Sequence, residues 1–157
     1  MTKQCKRILC WMAVAGWMAV IFWMSAQTGN QSGGASEAIV RWLVGIFCPG
    51  FQQLSQVRQT AILEVCHTIV RKGAHFAEYA VLAMLIANAL RQYALNNRLY
   101  WLLPVAISAV YALTDEVHQY FVPGRACRLL DVGIDTCGAI FGMCLFAAIL
   151  ALLRKRK

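Results

Sequence analysis

Four stretches of the chain, residues 8–25, 74–91, 99–120 and 132–153, are apolar almost throughout. At ~1.5 Å of rise per residue, about 20 residues of helix cross a ~30 Å hydrocarbon core. Each stretch is close to that length, so the pattern predicts four transmembrane helices. Pro104 falls early enough in the third to be tolerated or to kink it. Between the first and second runs the pattern changes. Residues 27–36 are rich in Gly, Ser, Gln and Asn and are expected to form a loop. Ile39, Trp42, Leu43, Ile46 and Phe47 then recur at helical spacing, with Glu37 and Arg41 on the other side. That arrangement predicts a short helix lying at the membrane interface, broken by Pro49-Gly50. A second row, Leu54, Val57, Ala61, Val65 and Ile69, lies in too polar a stretch to cross alone and is expected to lead as a helix into the second span. The expected fold class is all-α: an integral membrane bundle of four transmembrane helices with an interfacial helical segment between the first and second spans.

Composition agrees with lipid as the main solvent. Of 157 residues, 60% are hydrophobic and 14% charged, against roughly 25% charged in a soluble domain. The net charge of +8 is not spread over a face as in a nucleic-acid binder. Lys3, Lys6 and Arg7 open the chain and Arg154, Lys155, Arg156 and Lys157 close it, flanking apolar runs as at a membrane boundary. No nucleic-acid partner is expected. A basic start before an apolar run also describes a signal peptide. Trp11, Trp17 and Trp23 in the run, its length and a poor cleavage site favour an uncleaved helix. Among the cysteines, Cys10, Cys137 and Cys144 read as small hydrophobes. Cys48 and Cys66 are candidates for a disulfide in an oxidising compartment or for free thiols. There is no CxxC motif, and no metal site is expected from cysteine.

With four spans both ends lie on one side. That side carries Lys3, Lys6, Arg7, Arg91, Arg98, Arg154, Lys155, Arg156 and Lys157, nine cations, against six on the other: Arg41, Arg58, Arg71, Lys72, Arg125 and Arg128. The excess places both termini in the cytoplasm.

A charged side chain within a span costs about 2.5–3.5 kcal/mol on insertion scales, so each asks for a reason. His75 and Glu78 lie in the second span, with Arg71 and Lys72 just before it. Asp115, Glu116, His118 and Gln119 lie in the third, and Asp131 and Asp135 at the start of the fourth. All fall at the same, outer end of their helices, joined by loop residues Arg125 and Arg128. Arg71, His75 and Glu78, with Tyr79 alongside, share one helical face. So do Asp115, His118 and Gln119, and so do Asp131, Asp135, Gly138 and Gly142. The last two form a GxxxG pair that lets another helix approach closely. Snorkelling cations, or a salt-bridge network that only knits helix ends, are the plain alternatives. The i, i+3 pairs of His75 with Glu78 and of Asp115 with His118 point beyond them, to an outward-facing polar pocket.

The segments RKGAHFAEY (Arg71–Tyr79) and TDEVHQYFVPGRACRLLDVGIDTCGAIFG (Thr114–Gly142) resemble the two blocks of the VanZ-like family, and WMSAQTGNQS (Trp23–Ser32) is similar to the family's start. The resemblance covers most of the chain and implies a single VanZ-like membrane domain over residues 1–157, in the bacterial cytoplasmic membrane. Carried over residue by residue, it marks Arg71, Lys72, His75, Glu78, Tyr79, Asp115, Glu116, Gln119, Phe121, Pro123, Gly124, Arg125, Asp131 and Asp135. The segment between the first and second spans is the main departure. The family's founding member is associated with low-level resistance to the glycopeptide teicoplanin, which implies a role at the cell envelope.

Three functions compete on these residues. The first is a binding or modulating protein, in which Arg71, Lys72, Arg125 and Arg128 grip the phosphate of a membrane lipid or lipid-linked cell-wall precursor, or meet a membrane-inserted lipoglycopeptide. The second is an intramembrane hydrolase or transferase acting on a lipid phosphate. Its candidate catalytic residues are His75, Glu78, Asp115 and His118, as acid and base or around a divalent metal. No recognised phosphatase or HExxH motif supports it. The third, a transporter with a proton path, fits least, because the polar groups gather at one end only. No cofactor is indicated by the sequence.

Overall fold

The computed structural model describes residues 2–27, 29–123 and 127–155, and for 29–36 the backbone alone. Every element among them is helical: α1 (Lys3–Ser25), α2 (Gly29–Phe47), α3 (Gln56–Leu90), α4 (Asn97–Tyr120) and α5 (Leu129–Lys155), with one 3-10 turn at Phe51–Gln53. The hydrophobic periodicity accounts for these helices, and polar residues set several of their ends. Thr2 caps α1 by accepting from the Cys5 amide, and Asn96 caps α4 by accepting from the Leu99 amide. Gly50, at φ 87°, supplies the left-handed turn that separates α2 from the 3-10 turn. Pro104 sits inside α4, fully buried, and the helix runs through it.

Among the described residues three helices are long and apolar enough to cross a membrane, α1, α3 and α5. α4 has similar length but is less apolar, since it holds Arg98 and Pro104 and ends in Asp115, Glu116, His118 and Gln119. The antiparallel order follows from cross-contacts. Near the start of α1, Arg7 donates to the Gln92 carbonyl just past α3 (2.8 Å), and the Trp11 indole donates to the Tyr93 hydroxyl (3.1 Å). At the other end of α1, Ser25 meets Asp115 near the end of α4. One end of the bundle therefore holds the start of α1, the end of α3, the start of α4 and the end of α5. It carries Lys3, Lys6, Arg7, Arg91, Arg98, Arg154 and Lys155 and none of the seven acidic residues. We call it the basic end, and the opposite one the polar end.

α3 is the central helix. Tyr79, Leu82, Ile86 and Ala89 pack against Val14 and Ile21 of α1 and Ala112 of α4, while Ala83 and Ala87 pack against Ala139, Met143 and Phe146 of α5. Gly138 and Gly142 make the second contact intimate. A Cβ on Gly138 would strike the Phe76 carbonyl, and one on Gly142 the Ala80 carbonyl, so backbone meets backbone. The GxxxG pair thus has its partner, the Phe76–Ala80 turn of α3. The outward surfaces of α4 and α5 are apolar, with Leu102, Val110, Val117, Phe141, Leu145 and Leu152 all exposed, as a lipid-facing surface requires.

At 35 residues, α3 is about 50 Å long, well beyond the hydrocarbon thickness. Its N-terminal part extends past the polar end and is covered on one side by α2. There Val40 and Val44 are buried, and the His67 Nε2 lies 3.5 Å from Glu37 Oε2. Glu37 also accepts from Arg41 Nε at 2.8 Å, and this exposed pair holds the Glu37 carboxyl below its usual pKa. The opposite face of α2, with Ile39, Trp42, Ile46 and Phe47, is exposed. Val57, Val65 and Ile69 of α3 are exposed as well. From Val57 on, this row leads as a helix toward the apolar part of α3, as expected, with these three side chains exposed.

Two expectations need correction or closure here. The stretch expected as a loop, residues 27–36, is helical from Gly29, because α2 starts eight residues before its glutamate. Loop-like composition is only a weak prior, which neighbouring helix overrides. Cys48 and Cys66 are both free thiols, so the candidate pairing is not made.

Candidate functional site at the polar end

Four helices deliver ionisable or hydroxyl side chains to the polar end, and most arrive buried. Glu78 and Tyr79 from α3, Asp115, Glu116 and Gln119 from α4, Asp135 from α5 and Ser25 from α1 are all in the interior. The local cause is helical spacing. Glu78 and Tyr79 lie one turn beyond His75, Gln119 one turn beyond Asp115, and Asp135 one turn beyond Asp131, so each helix turns its polar arc toward the others.

Asp115 is the best-held carboxylate. Its Oδ2 accepts from Ser25 Oγ at 2.8 Å and from Gln119 Nε2 at 3.1 Å, while Gln119 also reaches Ser25 at 3.4 Å. Glu116 Oε2 accepts from the backbone amide of Arg128 at 2.7 Å, which ties the segment before α5 onto α4. Lys72 of α3 pairs with Asp131 of α5. His75 Nδ1 lies 3.8 Å from Glu78 Oε2, and the Trp17 indole donates to the Glu78 carbonyl at 2.9 Å. Tyr111 completes the α1 seam by donating to the Met18 carbonyl at 2.7 Å. α1 is thereby an integral wall of the site.

Ser25 is a site residue that residue-by-residue reasoning passed over. The signal was a small hydroxyl at the end of the first run, level with the polar ends of three other helices. Ser25→Ala takes one of two donors from a buried carboxylate. It is expected to cost about 1.5–3 kcal/mol, read as a lowered midpoint in detergent unfolding. An unchanged midpoint would remove Ser25 from the cluster.

Around these bonds three oxygens have no hydrogen-bond partner among the described residues: Tyr79 Oη, Asp115 Oδ1 and Asp135 Oδ1. Tyr79 and Asp135 are 0% and 1% exposed. Asp135 is within electrostatic reach of Glu78, Asp115, Glu116 and Asp131, and Tyr79 of Asp115 and Asp135. The interior is thus crowded with carboxylates, and the cations stand at its edge. Arg71 is half-buried and Arg128 exposed, and neither makes an ion pair among the described residues. Arg125 and Gly124 lie outside the described residues.

One expectation fails in this geometry. Asp115 and His118 share an arc but do not pair. Asp115 turns to Ser25, whereas the His118 ring stacks on Phe22 with centroids 4.2 Å apart, its Nδ1 buried and without a partner among the described residues. The void bounded by Lys72, His75, Glu116, Asp131, Ile134 and Asp135 measures about 10 Å³, the room of a single water. No three His, Cys, Asp or Glu side chains among the described residues are arranged to hold a metal ion.

Apolar helices sheathed in exposed hydrocarbon, with an ionisable cluster packed at one end, define a helical membrane protein. The arrangement has a family. The VanZ/LLP1 family model matches residues 10–152, and the chain belongs to that family. No curated protein and no solved structure matches the chain.

Proposed function

We propose that this VanZ-family chain is a single multi-pass domain of the bacterial cytoplasmic membrane. In this reading α1, the C-terminal part of α3, α4 and α5 are the four spans, α2 lies at the outer interface, and both termini are cytoplasmic. The basic end supports the orientation, since an excess of Lys and Arg marks the cytoplasmic side. The exposed Ile39, Trp42, Ile46 and Phe47 of α2 support the interfacial placement.

We further propose that the polar end binds the head of a lipid-linked cell-wall precursor or of a membrane-inserted lipoglycopeptide such as teicoplanin, and so modulates envelope chemistry. The observation that carries this is the convergence of buried Glu78, Asp115, Glu116, Gln119 and Asp135 from separate helices at one membrane face. Arg71 and Arg128 at the edge suit a phosphate or carboxylate, which guanidinium grips with paired hydrogen bonds. Tyr79, Asp115 and Asp135 have capacity left for hydroxyl, amide or amine groups. In this reading a headgroup engages the polar end at its edge, where Arg71 and Arg128 stand.

The test is binding of labelled polyprenyl-pyrophosphate precursor and of teicoplanin to the purified protein in nanodiscs. Arg71→Ala is expected to weaken binding about tenfold or more, the value of one charge-assisted hydrogen bond. Equal binding by wild type and variant would overturn the assignment. The hydrolase or transferase reading keeps one supporting observation, His75 facing Glu78 beside a void that fits one water. It loses another in the separation of His118 from Asp115. Phosphate release in the same nanodiscs separates turnover from binding.

A further inference from the structure

The basic end has a feature that the polar cluster does not explain. The last turns of α3 and α5 and the first turns of α4 leave a groove of about 680 Å³. Arg91 and Arg154 line it, both exposed and neither in an ion pair among the described residues. Tyr100 and Trp101 form one wall, their rings edge to face at 5.3 Å. The Tyr100 hydroxyl is buried and has no hydrogen-bond partner among the described residues. Leu150 and Leu153 of α5 supply an apolar side, continuous with the exposed Leu152 and Ile149.

We propose that this groove binds an anionic phospholipid, its phosphate between Arg91 and Arg154 and an acyl chain along Leu150 and Leu153. Charge complementarity selects the head. No acidic side chain lies at this end, the two guanidinium groups have no counter-ion among the described residues, and phosphate accepts from both. The Tyr100 hydroxyl adds a neutral donor. The apolar side selects a lipid over a free phosphate, because Leu150 and Leu153 would gain nothing from a small soluble ion. A second copy of the chain is a poor occupant, since two such basic ends repel. Basic grooves between spans are suited to anionic headgroups in this way, and Trp101 has the interfacial character that such a depth requires.

The test is native mass spectrometry of the full chain released from micelles containing equal phosphatidylglycerol and phosphatidylcholine. Wild type is expected to retain phosphatidylglycerol selectively. Arg91→Gln/Arg154→Gln is expected to lower that occupancy about tenfold or more, and Leu153→Trp, which fills the groove without touching charge, to lower it as well. Lys3→Gln/Lys6→Gln removes the same charge from the same end outside the groove and is expected to leave retention intact. Four results would overturn the proposal: no preference for phosphatidylglycerol in wild type, equal loss in the lysine pair, full retention in Leu153→Trp, or displacement by millimolar glycerol phosphate, which would make the ligand a free phosphate. Because Arg91, Leu153 and Arg154 are exposed, all the variants are expected to fold, and an unchanged unfolding midpoint confirms it.

Discussion

Gly142→Leu is expected to remove the folded bundle, at a cost of about 3 kcal/mol or more, the upper range for overpacking. Most overpacked cores relax by rotating a neighbouring side chain. Here the neighbour is the Ala80 backbone of α3, which has no rotamer to change. Relief requires the two helices to separate, and separation undoes the contacts of Ala83 and Ala87 with Ala139, Met143 and Phe146. Gly138→Ala meets the Phe76 backbone in the same way one turn earlier and is expected to be destabilising with even a single added methyl. Gly133 provides the contrast within the same helix. A Cβ there meets nothing, so Gly133→Ala is expected to be neutral or to stabilise by about 0.5–1 kcal/mol through backbone entropy. Unfolding midpoints in a denaturing detergent series read all three. If Gly142→Leu melted with the wild type, α3 and α5 would not lie as close as described.

Asp135→Asn is expected to stabilise the protein by about 1–3 kcal/mol while reducing ligand binding at the polar end. The substitution keeps shape and removes an ionisable group. In the wild type a nearly inaccessible carboxylate lies within reach of four others, and its Oδ1 has no hydrogen-bond partner among the described residues. Among the described residues nothing engages that oxygen, so an ionisable group at this buried position points to use rather than support. Asp131→Asn is expected to act in the opposite direction, since it strips Lys72 of its partner. Thermal midpoints with and without ligand separate the two. A lower midpoint for Asp135→Asn would show that the native fold depends on this carboxylate and would dissolve the contrast.

Much of this architecture is legible in the sequence, and the reasons differ by element. Apolar runs of span length announce α1, α4 and α5 to within a few residues, because lipid permits few alternatives to a helix. The rarity of charge within such runs singles out Glu78, Asp115, Glu116 and Asp135. What spacing does not convey is the partner. Asp115 and His118 occupy one arc, yet Asp115 meets Ser25, 90 residues away, and His118 meets Phe22. Lys72 and Asp131 are 59 residues apart, and only the crossing of α3 and α5 joins them. The start of α2 escaped for another reason, since Gly, Ser and Asn favour turns only when tertiary context allows. The closeness of α3 and α5 beside the cluster was hidden as well, because it is set at Gly138 and Gly142, one to two turns deeper along α5.

The uneven ends of the bundle have an electrical consequence. With the basic end on the cytoplasmic side, as proposed, and the membrane energised negative inside, moving one charge across 100 mV takes about 2.3 kcal/mol, so the seven described cations there would need about 16 kcal/mol to leave. The polar end carries all seven acidic residues, more than its described cations. In that orientation the voltage of a living cell holds the basic end like a ballast.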